Sequence, residues 1–151
     1  MGLLAPGVPA PDFTLAAAGD RTVRLADYRG RVVVLYFYPK DETPGCTAEA
    51  CAFRDSYEAF VDAGAEVIGV SRDPVTSHDR FAGARRLPFV LASDPDGEVA
   101  RAYGVMPNWL RLPGRVTFVI DGGGIIRDVF SSQFRVRHHA ARALALVQSL
   151  G

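Results

Sequence analysis

Two stretches of the chain are apolar without interruption: RVVVLYFY at 31–38 and the shorter EVIGVS at 66–71. Runs of this length that do not alternate predict strands buried on both faces. Shorter apolar groups at 13–15, 22–25, 88–91, 115–120 and 125–130 predict five more strands. The turn AAAGDR joins the first two of these, an N-terminal β-hairpin, and DGGG joins the last two. Elsewhere the pattern is helical. One helix starts at the cysteines and runs to about Ala63, where Gly64 stops it. A second covers 77–86 with Ser77 as N-cap, and a short third covers 98–103 after the turn DPDG. HHAARALALVQSL at 138–150 predicts a closing amphipathic helix.

The order β-β-β-α-β-α-β-α-β-β-α predicts an α/β fold with a mixed sheet flanked by helices. In such sheets, sites form past the carboxyl ends of parallel strands, where a helix begins. That position is held by PKDETPGCTAEAC, residues 39–51, which contains both cysteines of the chain, Cys46 and Cys51.

Composition narrows the function. With 151 residues, 48% of them apolar, the chain is expected to be one domain, residues 1–151. Its 17 basic and 17 acidic residues cancel, so nothing predicts a nucleic-acid or membrane surface. No apolar run approaches the roughly 20 residues of a membrane span. The start, MGLLAPGVPAPDFTL, lacks the basic and apolar regions of a secretory signal. The expected location is therefore cytoplasmic. Structural disulfides are rare there, so the two cysteines are expected to be chemical.

Thr43 suits a helix N-cap and Pro44 the first helical position. Cys46 then lies in the first turn, where free N–H groups and the helix dipole favour an anion such as a thiolate. The dipole alone is too weak. An ordinary thiol titrates near ~8.5, and moving it to ~6 takes about 3.4 kcal/mol. A helix end supplies about 0.3–1 kcal/mol. A reactive thiol at this position needs a cation, and arginine is the abundant one, since Lys40 is the single lysine among the 17 basic residues. The residue pattern does not select which arginine. Five residues along an intact helix separate two Cα atoms by about 8.7 Å, whereas a disulfide needs roughly 7 Å or less. Cys46 and Cys51 are therefore either unrelated or carried on a helix that unwinds.

Other groups offer less. His78, His138 and His139 have no metal-ligand spacing to the cysteines. His78 reads as a helix-surface residue, and His138 and His139 as solvated residues opening the last helix. Gly122–Gly124 forms a hairpin turn rather than a phosphate loop, because no helix follows it. Met106, Trp109 and Leu110 read as packing residues.

FYPKDETPGCTAEACAFRD resembles the active-site segment of the peroxiredoxins, and the cysteine spacing is similar to that of their Q-type, or bacterioferritin comigratory protein, subfamily. The opening G-x-x-A-P-D-F-T-L, GVSRDPVTSHDRFAGARRLPF, LASDPDGEVARAYGV and RVTFVIDGGG match it in order, over nearly the whole chain. The resemblance implies a thioredoxin-like fold and thiol-dependent reduction of hydrogen peroxide and organic hydroperoxides. It makes Cys46 the peroxidatic and Cys51 the resolving cysteine, joined in an intrachain disulfide that thioredoxin or a similar dithiol reduces. It implies that Pro39 shields the thiolate, that the Thr43 hydroxyl bonds thiolate or peroxide, and that Arg115, of an R-x-T-F motif, supplies the cation. Glu49, one turn after Cys46, is expected to orient that arginine. No metal, flavin or haem is implied, and the expected state is a monomer or weak dimer. Residues 106–114, MPNWLRLPG, are more apolar and proline-rich than the subfamily pattern, which bears on substrate preference. Two other functions use the same sequence: a protein thiol–disulfide oxidoreductase or redox sensor, and a scaffold with inert cysteines.

Overall fold

A computed structural model describes residues 2–107 and 111–150. Its strands are β1 (Thr14–Ala17), β2 (Arg21–Arg24), β3 (Val32–Phe37), β4 (Ala65–Ser71), β5 (Val90–Ser93), β6 (Val116–Ile120) and β7 (Ile126–Ser131). Its α-helices are α1 (Pro44–Asp55), α2 (Tyr57–Asp62), α3 (Val75–Arg85), α4 (Glu98–Ala102) and α5 (Val136–Leu150), with a 3₁₀ turn at Leu25–Tyr28. The strands form one sheet in the order β2-β1-β5-β4-β3-β6-β7. β3, β4 and β5 run parallel, while β1, β6 and β7 join antiparallel. This is the mixed, helix-flanked sheet of the thioredoxin-like fold, with β1 and β2 paired as the expected N-terminal hairpin.

The continuous apolar run of β3 is explained by two cores. Val33, Leu35 and Phe37 face one side, against Phe13, Tyr103 and Met106. Val34, Tyr36 and Tyr38 face the other, where α1, α2, α3 and α5 contribute Phe53, Phe60, Phe81 and Val147. Successive side chains alternate faces, so only an all-apolar sequence fills both layers. The Tyr36 ring lies across Gly69 of β4, where an added Cβ would come within 2.8 Å of it.

Several boundaries differ from expectation. The long helix after the cysteines is two, because Ser56 leaves helical geometry at φ −102° and ψ 2°; serine, whose side chain competes for backbone bonds, favours such a break. α3 begins at Val75, with Pro74 rather than Ser77 at its N-cap. The Ser77 hydroxyl instead donates to Asp41 Oδ2 at 2.8 Å. Met106 is buried as expected, while Trp109 and Leu110 lie outside the described residues.

Candidate active site

β3 ends at Phe37, and the chain turns through Pro39–Thr43 into α1. Thr43 takes the N-cap position and Pro44 the first helical one. Cys46 lies in the first turn, 1% exposed, with both cysteines free thiols. Arg115 reaches it through register. β6 runs antiparallel to β3 with Val116 opposite Phe37, so the residue just before β6 stands beside the end of β3. Arg115 Nη1 donates to Cys46 Sγ at 3.3 Å and to Glu49 Oε1 at 2.9 Å. Gly45 makes room for this: a Cβ there would sit 3.0 Å from Arg115 Nη2.

Cys46, Glu49 and Arg115 thus meet, while Thr43, Pro39 and Cys51 have other neighbours. The Thr43 hydroxyl donates to Lys40 O at 2.9 Å and makes no side-chain cap bond. Its lone pairs still allow it to accept from a ligand. Pro39 is half-buried and borders two hollows of about 280 and 360 Å³, the second also lined by Arg111, Leu112, Pro113 and Gln133. Cys51, half-buried on α1, opens instead into a hollow of about 170 Å³ beside Asp55 and Arg137.

Two histidines are not where the sequence reading put them. His138 is exposed as expected, but His139 is fully buried. α5 starts at Val136, so His139, Ala143 and Val147 form one inward stripe at four-residue spacing. That spacing was the available signal. His139 Nδ1 lies 2.7 Å from Thr117 Oγ1 and 3.6 Å from Glu49 Oε2, and its Nε2 donates to Ser132 O at 2.9 Å. His78 is also fully buried, in phase with Phe81 on α3. It contacts Asp41 Oδ2 at 2.7 Å and Ala92 O at 3.0 Å, while Tyr38 Oη donates to Asp41 Oδ1 at 2.6 Å. Asp41, Asp73 and His78 are close enough to suggest a cation site. However, Asp41 already accepts from Tyr38 and Ser77 and pairs with His78, whose second nitrogen is also used. The cluster is a strut that ties the loop before α1 to α3.

Burial sets the charges around Cys46. It pushes the Glu49 carboxyl up to about 8, with Arg115 pulling the other way. It lowers His139 to about 4, partly opposed by the bond to Ser132 O. It raises the Tyr36 hydroxyl well above its usual range, helped by Glu49 and Cys46. For Arg115, burial is outweighed by its interactions and hydrogen bonds with Glu49 and Cys46, and the net direction is up. The arrangement is a buried thiol at a helix N-terminus, held by a cation that stays charged, which is the environment that activates a cysteine nucleophile.

Residues 6–129 match the AhpC/TSA family. The chain is 47% identical over 150 residues to the chloroplastic peroxiredoxin Q of Oryza sativa subsp. japonica, covering 99% of this chain and 69% of that one. Peroxidoxin BcpB from Mycobacterium tuberculosis superposes with a TM-score of 0.92 at 39% identity, covering 98% of this chain and 99% of that one. The bacterioferritin comigratory protein of Xanthomonas campestris, from a structure concerned with its alkyl peroxide reduction activity, superposes with a TM-score of 0.85 at 32% identity, covering 98% and 97%.

Proposed function

Because the chain belongs to the AhpC/TSA family and is a Q-type peroxiredoxin, a thiol peroxidase, we propose that it reduces hydrogen peroxide and organic hydroperoxides through Cys46 and Cys51. The Cys46 thiolate attacks the terminal peroxide oxygen. The O–O bond breaks, Cys46 becomes a sulfenic acid, and the departing alkoxide or hydroxide takes a proton. Arg115 and the N–H groups of the first turn of α1 stabilise charge on the oxygens. Thr43 accepts a hydrogen bond from the peroxide, Pro39 limits water, and Glu49 orients Arg115. The Cys51 thiol then displaces water from the sulfenic acid to form the Cys46–Cys51 disulfide. A thioredoxin-type dithiol reduces that disulfide, becoming oxidised itself.

The observation that carries this reading is the Arg115 bond to Cys46 Sγ at 3.3 Å. It supplies the cation that the helix end cannot replace. The 1% exposure of Cys46 favours a small peroxide over the disulfide of a folded protein, which could not reach that sulfur. Alkyl peroxide reduction named for the Xanthomonas protein supports including organic substrates. Among the described residues no helix is long and apolar enough to cross a membrane. Recycling requires a reducing compartment. The cytoplasm expected from the sequence is such a compartment, whereas the rice relative is chloroplastic.

The test is consumption of hydrogen peroxide and of an organic hydroperoxide, coupled to a thioredoxin system. Turnover with both, and none without the reductant, is expected. Rapid exchange with protein disulfides alongside negligible peroxide consumption would favour the oxidoreductase instead.

A further inference from the structure

Among the described residues, the buried side-chain nitrogen and oxygen atoms without a hydrogen-bond partner are Tyr36 Oη, Glu49 Oε2 and Arg115 Nε. All three belong to residues of the Cys46 surroundings. Leaving such atoms unpaired is costly, and in a native site each needs a reason. Glu49 Oε2 lies within ion-pair distance of His139 Nδ1, at 3.6 Å. Both side chains are fully buried.

One hydrogen bond and burial, which lowers His139 to about 4, together set the state of that imidazole at neutral pH. His139 Nε2 faces the Ser132 carbonyl, so it carries a proton. In the neutral ring Nδ1 is then bare, with a lone pair that accepts from Thr117 Oγ1 at 2.7 Å and lies 3.6 Å from Glu49 Oε2. Thr117 is the nearer donor to that lone pair, and an ionised Glu49 Oε2 would stand 3.6 Å from it as a further acceptor with no proton between them. One proton on Glu49 Oε2 resolves the contact.

That proton matters to Cys46. An ionised Glu49 would share Arg115 with the thiolate, leaving two anions around one cation. A neutral Glu49 keeps Oε1 as an acceptor for Arg115 Nη1 and leaves the full positive charge to Cys46 Sγ. We propose that His139 is a positioning residue that holds a proton on Glu49, so that the charge of Arg115 serves the Cys46 thiolate. This rests on the reading of Cys46 as the peroxide-reactive thiol. The groups around Glu49 and His139 are Cys46 on the helix of Glu49, Arg115 beside β6, Tyr36 on β3, and Thr117, which meets His139 from β6. His138 adds a weaker repulsion to His139. The rise of the Glu49 carboxyl to about 8 is consistent with the bound proton.

The test reads the proton directly and then its effect. Infrared spectroscopy of the reduced protein at pH 7 should show a carboxylic-acid carbonyl band that Glu49→Gln removes. The band should disappear on titration with a midpoint near 8. His139→Gln, which offers Glu49 Oε2 an amide N–H donor where the native ring presents a bare nitrogen, should lower that midpoint by about one pH unit. Thr117→Val, which removes the competing donor, should raise it. A purely structural histidine predicts no such pair of opposite shifts.

At pH 7.5 a one-unit fall reduces the protonated fraction from about three-quarters to about one-quarter. Oxidation of Cys46 by hydrogen peroxide should then slow about threefold in His139→Gln. In a Glu49→Gln background the same histidine substitution should have almost no effect on rate. Absence of the carbonyl band in the wild type, or a midpoint that His139→Gln does not move, would overturn the proposal. Equal rate losses in both backgrounds would overturn it as well. If the wild type does not react with peroxide, the proposed function fails, while the infrared titration still decides the location of the proton.

Discussion

At the scale of single residues, the two cysteines have separable chemistry. Cys46→Ser should abolish peroxide consumption, since a serine hydroxyl hardly ionises at neutral pH. Cys51→Ser should react once and retain a sulfenic acid, detectable by trapping with a dimedone probe and mass spectrometry. Turnover by Cys46→Ser with a dithiol would reverse the two roles. Arg115→Ala removes a charge-assisted bond of about 1.5–3 kcal/mol, so peroxide should react with Cys46 roughly 10- to 100-fold more slowly. The fold should survive, because Glu49, already pushed up to about 8, can stay neutral rather than become a buried lone charge. Stopped-flow oxidation beside circular dichroism separates the two effects. A rate within twofold of wild type would pass the cation's role to another group.

At the scale of elements, α1 is continuous from Pro44 to Asp55 with both thiols free. Five residues apart on that helix, the Cα atoms are about 8.7 Å from each other, beyond the roughly 7 Å a disulfide allows. Bonding Cys46 to Cys51 must therefore open the start of α1. The loop before it is braced, since Asp41 is tied to Tyr38, Ser77 and His78. Opening is expected from Pro44 onward and not in that loop. Local opening of a helix end costs far less than global unfolding. Amides of residues 47–54 should exchange faster in the disulfide form than in the dithiol form, with β3 and β4 unchanged. Equal protection in the two forms, with the intrachain bond verified by mass spectrometry, would sink the unwinding model.

At the scale of the whole molecule, the buried Glu49 and His139 give stability a pH dependence. The folded chain holds the Glu49 proton up to about 8, against 4.5 ordinarily, so between those values it binds more protons than the unfolded chain and stability falls as pH rises. His139, lowered from 6.5 to about 4, acts oppositely, and its contribution grows from about pH 4 to 6.5. The slopes oppose each other until about 6.5; above it only Glu49 remains. Urea denaturation should show stability falling by about 1 kcal/mol from pH 6.5 to 8, a loss that Glu49→Gln removes. A flat profile in the wild type would mean that Glu49 is ionised throughout. These effects mark the boundary of what could be read from the chain. The apolar run of β3, the hairpins, the Thr43–Pro44 start of α1 and the place of Cys46 were determined by the sequence, because strand burial and helix capping are written in neighbouring residues. Likeness to a family then singled out Arg115 and Glu49. The burial of His78 and His139 was decided only in three dimensions. It depends on where α3 and α5 begin and on what crosses their inward faces, and there the partners are distant in sequence: His139 meets Glu49, and Arg115 meets Cys46 across 69 positions through the antiparallel register of β6 on β3. Periodicity can place a residue on a face, but the charge that waits opposite that face belongs to another part of the chain.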